Sequence, residues 1–155
     1  MNQGHAVVGF GPHLMFHGFR CESSRLDDLD LVYRTLDRLP DRIRMTKIMP
    51  PYVFRNVSKF GAVVGCSGFV LIAQSHISIH TFPRRGIVTA DIFSCDNFEV
   101  QDALESLKDA FQPTRVEWHL LDRGREFPRD IAGSKALVEQ ERRRVATALG
   151  LEALS

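Results

Sequence analysis

The chain has 155 residues, 44% of them hydrophobic and 25% charged, which suits a single domain with one core and leaves little material for a second. A formal net charge of +1 supplies no general attraction to nucleic acid or to an anionic membrane, so neither is an expected partner. Residues 1–10 lack the basic start and apolar run of a secretory signal, and the longest apolar run, Phe69 to Ala73, is far short of the roughly 20 residues that span a bilayer; the expected location is the cytoplasm.

Gly11-Pro12 followed by the apolar-rich segment His13 to Phe19 predicts a strand after a turn. From Leu26 the residues Leu29, Val32, Tyr33, Leu36 and Leu39 recur at helical spacing, with Ser23 and Ser24 as N-cap candidates and Pro40 as the stop. Ile43 to Met49 reads as a second strand halted by Pro50-Pro51, and Tyr52 to Val57 as an extended segment before a loop through Gly61, Gly65 and Gly68. Phe69 to Phe82 and Ile87 to Cys95 are rich in β-branched and aromatic residues and flank the turn-like Pro83-Arg84-Arg85-Gly86, so they predict a hairpin.

A second amphipathic helix is expected from Val100 to Phe111, ended by Pro113, and then a strand from Arg115 to Leu121. Ser134 to Leu149 is helical in composition but heavily charged. The expected organisation is a folded domain over residues 1–128 and a charged helical tail over 129–155. The order of elements predicts an α+β two-layer sandwich, a mostly antiparallel sheet with helices on one face.

Three cysteines, Cys21, Cys66 and Cys95, cannot all pair within one chain, and no Cys-x-x-Cys pair suggests a zinc or thiol-redox site. The informative stretch is Gln74-Ser75-His76-Ile77-Ser78-Ile79-His80-Thr81-Phe82-Pro83, which sets polar side chains into an apolar strand. Alternation of His76, Ser78 and His80 with Ile77 and Ile79 is what the solvated face of an antiparallel strand looks like. A serine-hydrolase reading is weaker, because no Gly-x-Ser-x-Gly elbow surrounds Ser75 or Ser78. His76 and His80 share a strand face but lie about 13 Å apart, too far for one metal ion unless the chain bends.

Three blocks taken together, Gly65-Cys66-Ser67-Gly68, Ser75 to Pro83, and Asp91-Ile92-Phe93-Ser94-Cys95, resemble the prokaryotic S-adenosylmethionine decarboxylase family. The resemblance extends more loosely from His13 to Phe111 and to Asp122-Arg123-Gly124. It implies a proenzyme that splits itself between Gln74 and Ser75 and turns Ser75 into a pyruvoyl group. It further implies that His80 and Ser67 assist processing and that Cys95 is the proton donor in decarboxylation. The pyruvoyl ketone would form a Schiff base with the substrate amine and act as electron sink, so neither a metal nor pyridoxal phosphate is expected. The implied reaction supplies an aminopropyl donor for spermidine synthesis, and the implied assembly is a homodimer of processed protomers.

The residue types suit these roles. The Ser67 hydroxyl can donate to an oxyanion formed when Ser75 attacks the Gln74 carbonyl. A histidine is a suitable base for the Ser75 α-proton at neutral pH, and a thiol is a competent acid. In a regular strand, however, Ser75 and His80 point to opposite faces and are about 16 Å apart. The sequence departs from the family in Gln74, where glutamate is usual, and in Phe82-Pro83-Arg84, where Trp-Pro-Glu is usual. Phe82 keeps an aromatic face for adenine. Arg84 reverses the charge of the glutamate associated with the substrate's ribose, and Asp91 and Glu99 are the carboxylates that could replace it. The same chemistry on arginine, ornithine or another amino acid, and a non-processing ligand-binding relative, are the alternatives.

Overall fold

In the computed structural model of the protein, which describes residues 11–123, six strands run Gly11–Phe19 (β1), Tyr52–Val57 (β2), Val63–Ile72 (β3), Ser75–Phe82 (β4), Ile87–Ser94 (β5) and Arg115–Arg123 (β6). Three helices accompany them, Ser23–Leu26 (α1), Leu29–Arg42 (α2) and Val100–Phe111 (α3). The strands make one sheet in the order β2-β3-β4-β5-β1-β6, with antiparallel pairing of β2 with β3, β3 with β4, β4 with β5, and β5 with β1. Pro12–Leu121 form one compact unit, which carries the site. The expected tail over 129–155 lies outside the described residues.

Strand alternation separates two faces. Leu14, Phe16, Val70, Ile72, Ile77, Ile79, Val88, Ala90 and Ile92 are buried on one side with the helices, while His13, Met15, His76, Ser78 and His80 stand on the other. In α2, Val32, Leu36 and Leu39 are spaced to cover the buried side, and in α3 Ala103, Leu104, Leu107 and Phe111 do the same. α2 packs on β2, β3 and β4 and against α3. Gly68 sits beneath α2: a Cβ there would meet Leu36 Cδ1 at 2.7 Å, so glycine lets helix and sheet close. The α+β sandwich expected from the order of elements is the fold.

Five local expectations give way. Ser23 and Ser24 lie inside the short α1, and the cap of α2 is Asp28, whose carboxylate accepts from Leu31 N at 2.9 Å. Pro40 is inside α2 rather than after it: it forgoes one backbone hydrogen bond in the last turn, while its buried ring adds to the core. The helix ends at Arg42, and two residues further on Arg44 is left-handed with φ 60°. Ile43 to Met49 forms no strand; it is tied to the end of β3 by Ile48 N to Leu71 O (3.0 Å), Ala73 N to Thr46 O (2.8 Å) and a single bridge between Lys47 and Ile72. The helix end before it and Pro50-Pro51 after it leave no room for a ladder.

Gly65 and Gly68 belong to β3 and not to a loop. Gly65 has φ 148°, and a Cβ on it would stand 2.0 Å from the Thr81 carbonyl oxygen, so only glycine lets β3 run this close to the end of β4. Phe69 to Phe82 is two strands, broken at Ala73-Gln74. The phase of burial requires the break: Val70 and Ile72 are buried at even positions, Ile77 and Ile79 at odd ones. One continuous strand cannot bury both sets on one face.

Candidate active site

The Ala73-Gln74 turn joins β3 to β4 and places Ser75 at the first position of β4, paired with Ile72 on one side and Ser94 on the other. Gln74 is exposed and adopts φ 65°, a left-handed conformation that costs a residue with a Cβ about 1–2 kcal/mol. The peptide bond that follows is the one between Gln74 and Ser75. Its carbonyl oxygen accepts a hydrogen bond from Cys95 Sγ at 2.6 Å. Beside it, Ser75 Oγ is buried and has no hydrogen-bond partner among the described residues, a costly state for a hydroxyl unless it has another use.

Cys95 follows directly on β5 and is anchored by its neighbour. Ser94 is fully buried; its Oγ donates to Met45 Sδ at 3.6 Å and accepts from Asp96 N at 3.0 Å. Partial burial, and then the nearby Asp96 carboxylate, push the Cys95 thiol above its ordinary range. It is therefore protonated at neutral pH and can donate. Cys21 and Cys66 are buried thiols raised first of all by desolvation.

Ser67 and His80 face each other directly across β3 and β4, with Ser67 Oγ and His80 Nδ1 2.7 Å apart. Ser67 is buried and also accepts from Asn56 Nδ2 at 2.7 Å, while the His80 ring is exposed. Thr81, next to His80, locks the two strands: its Oγ1 accepts from Cys66 N at 2.8 Å and donates to Leu26 O at 2.6 Å, with no exposure at all.

The predicted residues thus fall into two groups. Cys95 joins Gln74 and Ser75 at the turn, and Ser67 joins His80 on the open face. β4 is regular from Ser75 onward, so within one chain His80 is not brought to Ser75, which lies five residues away on the opposite face. Phe82 ends β4 on the His80 face with 38% of its surface exposed. Arg84 is exposed in the 3-10 turn Pro83–Arg85. Of the two carboxylates expected to answer it, Asp91 is held by His13 Nε2 at 3.1 Å and Glu99 stands at the start of α3. Sequence reasoning missed Asn56, Thr81 and His13. Asn56, a poor strand former in a strand, was the readable signal among them.

A strained turn, a thiol on its carbonyl and an unpartnered serine hydroxyl define a class of α+β sandwich built around one of its own peptide bonds. Comparison with known proteins identifies the family. Residues 12–124 match the family described as S-adenosylmethionine decarboxylase. The S-adenosylmethionine decarboxylase proenzyme of Thermoplasma volcanium is 33% identical over 136 residues, covering 86% of this chain and 95% of the relative. That of Archaeoglobus fulgidus is 31% identical over 74% of this chain and 97% of its own length. The crystal structure of the adenosylmethionine decarboxylase from Aquifex aeolicus superposes with a TM-score of 0.63 at 25% identity, covering 75% of this chain and 92% of that one. The chain belongs to the S-adenosylmethionine decarboxylase family.

Proposed function

We propose that this chain is a proenzyme that cuts itself between Gln74 and Ser75, converts Ser75 to a pyruvoyl group and decarboxylates S-adenosylmethionine, supplying an aminopropyl donor for polyamine synthesis. The observation that carries the reading is the Cys95 thiol on the Gln74 carbonyl, 2.6 Å away, beside the unpartnered Ser75 hydroxyl.

Attack of Ser75 Oγ on the Gln74 carbonyl carbon places negative charge on the oxygen that Cys95 already contacts, which is where a donor lowers the barrier. Collapse breaks the C–N bond, frees the Ser75 amine and leaves an ester. A base then takes the Ser75 α-proton, the Cβ–O bond breaks, and Gln74 departs as a carboxylate that keeps the serine oxygen. The dehydroalanine left behind tautomerises to an imine, which water hydrolyses to the pyruvoyl ketone and ammonia. That ketone supplies the electron sink for loss of carbon dioxide. Cys95, protonated and in contact with the Gln74 carbonyl, returns a proton to the substrate carbon.

The base and its partner come from a second copy. His80 and Ser67 sit on the open face, five strand residues from Ser75, while the Gln74 turn is exposed. Two copies with open faces together exchange these groups, and exposed Tyr52, Phe54, Phe69 and Leu71 give that face an apolar surface. The Phe82 ring offers an adenine-stacking face at the edge of the same surface.

Intact mass measurement of the purified chain tests the reading. Two fragments are expected, one ending at Gln74 and one beginning with a pyruvoyl group in place of Ser75; one uncut chain overturns it. Carbon dioxide release from carboxyl-labelled S-adenosylmethionine fixes the substrate. Because Arg84 stands where an acid is usual, release from arginine or ornithine in its place would replace the substrate and keep the chemistry.

A further inference from the structure

One contact at the open-face site has no role in the steps above. Asn56 Nδ2 donates to Ser67 Oγ at 2.7 Å, on the side away from His80 Nδ1. Asn56 is placed there by an irregularity in the sheet. The register between β2 and β3 shifts at Asn56/Val57, so that Asn56 pairs with Gly65 and Val57 with Val63. Such a bulge turns the side chain beside it. Its cross-strand partner Gly65 has no side chain, which leaves the amide free to lean over Ser67.

A serine hydroxyl has one proton and two lone pairs. An amide N–H can only donate, so Asn56 requires a lone pair in its own direction and bars the Ser67 proton from turning toward β2. Two directions are left for that proton: His80 Nδ1, or an oxygen arriving from the cut site. When the proton turns to the oxygen, the remaining lone pair of Ser67 faces Nδ1 and is filled by Nδ1–H. The imidazole then carries its free lone pair on Nε2, the form that can accept a proton. A Ser67 that donates to the carboxylate departing in the elimination and a basic His80 therefore arise together, and Asn56 is what couples them.

We propose that Asn56 is a positioning residue for self-processing, acting through Ser67 and His80 on the elimination step. This rests on the proposed function above. Because Cys95 serves the acyl shift and His80 the elimination, loss of Asn56 should stall the chain as the ester. The test uses the full chain carrying Asn56→Ala, and Asn56→Asp, a near-isosteric group that can only accept and so captures the Ser67 proton. Both variants should form pyruvoyl about tenfold or more slowly, a modest share of what a positioned base contributes. Both should accumulate an apparently intact chain that hydroxylamine splits: the reagent displaces the ester oxygen, giving a Gln74 hydroxamate and a fragment beginning with unmodified Ser75.

Loss of packing alone would not produce hydroxylamine-sensitive ester, and far-UV circular dichroism checks that each variant is folded. Wild-type pyruvoyl formation in Asn56→Asp, or an uncut Asn56→Ala chain that resists hydroxylamine, overturns the proposal. An uncut wild-type chain overturns the function itself, so the two failures are distinguishable.

Discussion

Replacing Gln74 with glycine asks whether the turn contributes to the first step by being strained. Gln74 holds φ 65° just before the bond to be cut. Left-handed backbone costs a residue with a Cβ about 1–2 kcal/mol, and the acyl shift removes the amide that confines it. If the transition state releases all of that strain, the gain at 1.36 kcal/mol per tenfold is about 5- to 30-fold in rate. Glycine pays no such penalty, so Gln74→Gly should cleave more slowly by up to that factor. Its stability should change by less than about 1 kcal/mol, because relief of strain is offset by the greater freedom of glycine in the unfolded chain. A pulse of cell-free synthesis followed by intact mass against time gives the rate. Gln112→Gly is the control: Gln112, with φ 46° at the end of α3, carries similar strain far along the chain from the cut, and its relief should leave the rate unchanged. Cleavage of Gln74→Gly at or above the wild-type rate refutes the argument.

Other outcomes follow from the same geometry. Ser75→Ala should remain uncut, since no oxygen attacks Gln74. Cys95→Ala should slow cleavage by about 10²-fold, the usual loss for one oxyanion donor, and lower turnover as well; normal rates of both would remove Cys95 from the site. Mixing Ser75→Ala with His80→Ala chains should restore cutting of the His80→Ala chain, with its base lent by the partner copy, and an absence of cutting in mixed dimers would sink the exchange. The Cys95 thiol donates only while protonated, and burial and Asp96 raise it. Turnover should therefore persist past the ordinary thiol range near 8.5 and fall only at higher pH, with Asp96→Asn bringing that fall to lower pH. An alkaline fall already complete by about pH 8 would refute this. Thr81→Val orphans the buried Cys66 N–H and should cost about 1–3 kcal/mol, read as a several-degree loss of Tm in the Ser75→Ala background.

The helices α2 and α3 and most strands were legible because burial is periodic in them. Val100 to Phe111 reads correctly to its ends, since Pro113 and a left-handed Gln112 close it where its apolar stripe runs out. The errors cluster where two local signals compete. Asp28 outranked Ser23 and Ser24 as a cap because only its carboxylate reaches Leu31 N. Gly65 and Gly68 suggested a loop, yet they are strand glycines demanded by close neighbours on β4 and α2, contacts that exist only after folding. The break at Ala73-Gln74 was readable in the switch from even to odd apolar positions, and the long β-prone run masked it.

The site was legible as a set of residues and not as a geometry. Ser67, Ser75, His80 and Cys95 stand out from their motif, but strand alternation sets Ser67 beside His80 on the open face, away from the Gln74–Ser75 bond of its own chain. The Cys95 thiol meets the Gln74 carbonyl instead, through an adjacency that no spacing in sequence conveys: β5 ends opposite the start of β4, so residue 95 meets the carbonyl of residue 74 across paired strands. The same alternation that separates His80 from Ser75 makes the division of labour economical. Under the proposed function one strand presents its nucleophile at a strained end and its base on an open face, so a chain acting alone would have the means to begin the acyl shift and lack the means to finish it. The proposed exchange therefore predicts that completion of the cofactor waits on meeting a second copy, and that a protomer unable to pair stalls as the hydroxylamine-sensitive ester.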